Sequence, residues 1–143
     1  MCSIWLRRGI AGTWSQSRLP SRGEPSRIYT PHKALRRVAD HLVDHLAELE
    51  ARLAGQPTDP DRWHASIITT PADLAPFTRE DLDEARSRLR RLALILDTRL
   101  RALTDEQLDA HDADSWTFRQ VAFHVAESAF YGDSVGQLTS RPT

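Results

Sequence analysis

Cysteine is almost missing from this chain: Cys2 stands alone among 143 residues. One thiol cannot build an intramolecular disulfide framework, and it cannot supply a cysteine-based zinc ribbon. Long apolar runs are missing too, since nothing approaches the roughly 20 residues that a membrane helix needs. Neither sign of charge dominates: 19 Lys and Arg stand against 20 Asp and Glu, a formal net charge of −1 with histidine neutral. No strong field selects nucleic acid or an anionic membrane, so neither is expected as a partner. A cytoplasmic location follows as the default expectation. There is no Gly-rich phosphate loop and no nucleophilic serine elbow.

What is present is an ordinary globular composition, 40% hydrophobic and 27% charged, in a chain long enough for one sizeable core. Residues 1–30 differ from the rest. They are basic, rich in Ser, Pro and Gly, and carry Glu24 as their only acid. Three readings fit: a transit-like leader, a disordered tail, or a start placed too early. On each of them the segment lies outside the fold, which is expected over 31–138 with a frayed tail at 139–143.

Three helices are legible. Thr30 and Pro31 mark the start of the first, and Leu35, Val38, Leu42, Leu46, Leu49 and Leu53 recur at spacings of three and four. Gly55 and Pro57 end it. Residues 56–78 form a long, proline-broken linker, in which Trp63–Thr70 reads as a short strand or an extended cover. Thr78 caps the second helix, with Glu80 and Asp81 near its positive end and Leu82, Ala85, Leu89, Leu92, Ile95, Leu96 and Leu100 along one side. Its many arginines read as a solvated face. Ser115 or Thr117 caps the third, which carries Phe118, Val121, Ala122, Val125, Ala129 and Phe130. No strand partner is evident, so the fold class is all-α.

The chemistry-bearing candidates are histidines. His41 and His45 lie four apart, hence one above the other on a helix face, beside the apolar stripe. Imidazole binds zinc, nickel, iron and copper, and two such donors can grip one ion. The intervening residues lack the glutamate of the metalloprotease pair, which excludes that class. Glu48 shares their face, as a further ligand, an acceptor for an imidazole N–H, or a solvated glutamate. His124, between Val121 and Val125, is a core histidine or the third ligand from a facing helix. Glu48, Glu127 and His64 are candidates for supporting the ligands or for acid/base work beside such a site. Three neutral histidines would leave one position open for water or substrate.

The run Trp116-Thr117-Phe118-Arg119-Gln120-Val121-Ala122-Phe123-His124-Val125 resembles the tryptophan-led helix of the DinB-like (DinB/YfiT-like) metalloenzyme superfamily. Leu89–Leu92 with Leu103–Leu108 is similar to that family's first helix and its turn. Thr30–Leu49 resembles its last helix, which carries the HxxxH pair. The resemblance implies a four-helix bundle that binds a divalent metal, zinc or nickel, through His41, His45 and His124. It further implies a thiol-dependent transferase or isomerase acting on a small molecule with a low-molecular-weight thiol, and an ion that activates water instead would make a metal-assisted hydrolase. The order departs from the family's, because the last-helix motif comes first, as though the domain were permuted or cut from a tandem. One bundle helix then lacks a counterpart. The linker or a second subunit would complete the DinB-like helical bundle, the latter making a homodimer. The competing reading is a non-enzymatic homodimerising or partner-binding helical module with structural histidines.

Overall fold

The computed structural model describes residues 17–21, 24–60, 62, 68–111 and 115–135. Its core is all-α, as the apolar periodicity predicts. Helix α1 spans Pro31–Leu53. The Thr30 hydroxyl accepts the Lys33 N–H and Pro31 occupies the first turn, where its missing N–H costs nothing. At the far end Gly55 takes φ +64, and the N–H groups of Gly55 and Gln56 return to the carbonyls of Arg52 and Ala51. That is the Schellman ending, and the left-handed residue it requires is the reason for glycine there.

Helix α2 spans Arg79–Arg101 and opens on a reciprocal box between Thr78 and Asp81. Helix α3 is a short turn, Asp105–Asp109. Helix α4 spans Phe118–Glu127, capped by Thr117 rather than Ser115 and boxed by Gln120. Helix α5, Phe130–Asp133, continues it after a break. Arg119 pairs with Asp105 and Asp109, which fixes α3 against the start of α4.

Contacts at the ends of the helices give their directions. His32 lies 3.8 Å from Asp81 at the two starts, and Glu50 pairs with Arg99 near the two ends, so α1 and α2 run parallel. The long linker is what permits this, because it carries the chain back to the starting end. Along α4 the order reverses. Trp116 meets Arg52, and Tyr131 meets Arg37 and Tyr29, so α4 and α5 run antiparallel to α1.

The linker is pinned where it ends. A 3₁₀ turn, Pro71–Leu74, follows the Thr70 cap, and Asp73 within it is buried. Arg36 donates to both Asp73 carboxylate oxygens, at 3.1 and 2.6 Å, and the Thr30 hydroxyl donates to the Asp73 carbonyl. Burial alone would raise the Asp73 carboxyl, but Arg36 and the Thr70 donors overcome it and hold it below its ordinary value. Lys33, also buried, donates to the Thr69 hydroxyl and covers the Tyr29 ring.

Two findings depart from the sequence expectations. Two antiparallel strands, β1 (Ser17–Ser21) and β2 (Glu24–Tyr29), lie inside the segment set aside as a tail, and Tyr29 is buried with Ala34 and Val135. Backbone pairing needs no apolar alternation, which is why periodicity missed it. Second, α2 is not covered along its whole apolar side: Ile95 and neighbouring Leu94 are at least half exposed. An apolar cavity of about 280 Å³ lies between α1, α2 and α4, lined among others by Leu35, Val38, Leu42, Leu89 and Val125. Of the segment expected to cover that face, residues 63–67 lie outside the described residues, and Ile68 is half exposed. The α2 arginines mostly pair along their own helix, Arg88 with Glu84 and Arg101 with Asp97, as a solvated face does. Among the described residues no helix is long and apolar enough to cross a membrane.

Candidate metal centre

The antiparallel crossing of α1 and α4 sets the middle of α1 against the last turn of α4. His41 and His45 occupy successive turns of α1 and are both buried, while His124 reaches them from α4. The ring centroids lie 4.6 Å apart for His41 and His45, 4.8 Å for His41 and His124, and 5.4 Å for His45 and His124. One nitrogen from each ring lies within 4.8 Å of the others. Donors about 2.0–2.1 Å from a tetrahedral ion sit roughly 3.3 Å apart, so nitrogens within 4.8 Å of one another would draw closer to hold one. The three histidines are close enough to bind a metal ion.

The nitrogens of His45 are sharply divided. Its Nδ1 lies 2.9 Å from Glu48 Oε2. Hydrogen bonding to His45 is the largest effect holding the Glu48 carboxyl below its ordinary value, against burial, and Arg52 adds to it. A carboxylate only accepts, so the proton of this hydrogen bond resides on Nδ1. The other nitrogen, Nε2, is buried and has no hydrogen-bond partner. A buried nitrogen without a hydrogen-bond partner is costly in a protein interior, and with the ring neutral its lone pair would be free to take an ion. His124 is biased toward its neutral form. Burial is the main cause that lowers its pKa, the neighbouring His45 and Arg37 add to it, and Glu127 opposes them. Neutral imidazoles are the ligand state.

The remaining candidates separate. Glu48 is joined to the site through His45. Glu127 is exposed at the end of α4 and reaches His124 through charge. His64 lies outside the described residues. Two residues escaped the sequence reading. Arg52 donates to Glu48 Oε1 at 3.0 Å, and Trp116 packs its ring edge-on to His124 at 4.7 Å. The spacing Glu48 to Arg52, four along a helix, could have signalled the first. Trp116 heads its motif in the sequence, yet nothing local places it against the histidine.

Compared with protein-family models, with curated proteins and with solved structures, the chain matches none. The likeness to DinB-like proteins therefore rests on the residues of its motifs alone.

Proposed function

We propose that this chain is a divalent-metal-binding protein of DinB-like type, with His41, His45 and His124 as ligands and zinc or nickel as the ion. The observation that carries the reading is the convergence of three imidazoles around the buried, unpartnered Nε2 of His45. The joining of the tryptophan-led helix to the HxxxH helix, as the resemblance implies, supports the family assignment. A divalent ion on three neutral nitrogens supplies Lewis acidity at an open position, which lowers the pKa of water or of a thiol placed there. That chemistry suits a metal-assisted hydrolase or a thiol-dependent transferase acting on a small molecule. Glu48 keeps the His45 ring oriented and its Nδ1 protonated. Glu127 and His64 are the candidates for handling a proton beside the site. Elemental analysis of the purified protein tests the reading: we expect about one zinc or nickel per chain. A metal-free wild type that also ignores added zinc overturns it.

The uncovered face of α2, with Leu94 and Ile95 exposed beside an apolar cavity, favours a second reading. On that reading the chain is a non-enzymatic module that homodimerises or docks a partner. Concentration-dependent mass by light scattering, with melting indifferent to metal in both the wild type and the His41→Ala/His45→Ala double variant, would select it.

A further inference from the structure

The two ligand-bearing helices are joined by a second route that does not pass between the histidines. It starts at His45 Nδ1, which lies 2.9 Å from Glu48 Oε2. Arg52 Nη1 donates to Glu48 Oε1 at 3.0 Å. The same nitrogen donates to the Trp116 carbonyl at 2.8 Å, across 64 residues of sequence. The guanidinium lies over the Phe118 ring, 4.2 Å from its centroid. Trp116 then closes the circuit, its ring edge-on to His124. His45, Glu48 and Arg52 follow at spacings of three and four, so one face of α1 presents all of them.

We propose that Arg52 is a positioning residue for the metal site, acting on both helices at once. Toward α1 it holds the Glu48 carboxylate that orients His45. Toward α4 it holds the residue just before the Thr117 cap, which sets where that helix begins and so where His124 arrives. An ordinary surface Glu–Arg pair would contribute little. This one differs, because the Arg52 side chain is only 12% exposed, its donor is shared with a distant backbone carbonyl, and its flat face is covered by an aromatic ring. Arginine is suited to such a place, since its planar group can donate in its plane and stack above it. The proposal rests on the metal reading of the three histidines.

Cobalt(II) is the probe, because its visible absorption reports both affinity and ligand geometry. The full chain is titrated as wild type, Arg52→Met, Arg52→Lys, Glu48→Gln and, as a control remote from the histidines, Arg99→Met. Partners that orient metal ligands are worth roughly 10–100-fold in metal affinity. We expect a loss in that range for Arg52→Met, with a shifted cobalt spectrum, and partial recovery of both in Arg52→Lys. Arg99→Met should match the wild type. A mere strut between helices would lower the melting temperature of the metal-free protein and leave the cobalt affinity and spectrum alone. Arg52→Met binding cobalt within twofold of wild type, with an unchanged spectrum, therefore overturns the proposal. Should Arg52→Met fail to fold, Glu48→Gln decides, because it keeps the shape and removes the charge: tenfold weaker binding supports the proposal and unchanged binding overturns it. A wild type that takes up no cobalt overturns the metal reading itself, and the role of Arg52 with it.

Discussion

Helix α1 meets α4 and α2 in opposite ways. Against α4 it presents His41, His45, Glu48 and Arg52, and the contacts are short, polar and backed by aromatic rings. Against α2 it presents Leu35, Val38 and Leu42 around a cavity, with charged pairs at the two ends of the helices. Burying polar groups costs stability unless they are matched, so the α1/α4 seam is the more demanding to build. The difference teaches where specificity resides. Apolar packing toward α2 tolerates a gap, whereas the seam toward α4 fixes particular atoms, the three histidines among them.

The sharpest way to break the comparison is to empty the seam of its histidines. His41→Ala/His45→Ala should abolish stoichiometric zinc uptake, read by elemental analysis after dialysis. It should also erase the rise in melting temperature expected from zinc in the wild type, worth about 2.7 kcal/mol at a hundredfold excess over Kd. A double variant that still binds one zinc per chain would show that the histidines are not the site.

Next in size is a purely apolar loss from the same helix. Leu49 is completely buried. Leu49→Ala should cost about 2–5 kcal/mol in urea unfolding, while Leu94→Ala, on the exposed side of α2, should stay within about 0.5 kcal/mol. Equal costs would erase the contrast between the helix faces.

A smaller effect comes from the pinned linker and carries a pH signature. The folded Asp73 carboxyl ionises below its ordinary value of 3.8. Its contribution is therefore present above that value and is lost as pH falls below it, toward the lower folded pKa, since the unfolded chain then binds the extra proton. Asp73→Asn should lose roughly 1–3 kcal/mol at neutral pH and flatten the acid limb of the stability curve. An unchanged acid limb would remove Asp73 from the account. Least of all should follow from Arg99→Met, which breaks the exposed pair with Glu50 and should leave the melting temperature unmoved.

How far these features could be read from residues follows from their range along the chain. The caps at Thr30, Thr78 and Thr117, the glycine ending and the shared face of His41 and His45 depend on neighbours a few positions away, so they were legible. His124 could be nominated as a partner because its motif resembles a known one, but its meeting with the pair is a fact of tertiary structure. The parallel course of α1 and α2, the burial of Tyr29 and the shared donor of Arg52 join residues tens of positions apart. No local pattern encodes them. Asp73 shows the same limit, since nothing in Pro71-Ala72-Asp73-Leu74 announces a carboxylate buried beneath Arg36.

The parallel course of α1 and α2 has an electrical consequence. Each helix carries a backbone macrodipole, and two that run side by side in the same direction repel. The chain sets charges against this. Glu80 and Asp81 stand in the first turn of α2, and Asp73 from the linker lies beside the first turn of α1, which has no acid of its own. At the other end α1 has Arg52 in its last turn, and α2 has Arg99 and Arg101. A near-zero net charge thus conceals an ordered separation, in which side chains oppose the field of the backbone at both poles of the helix pair.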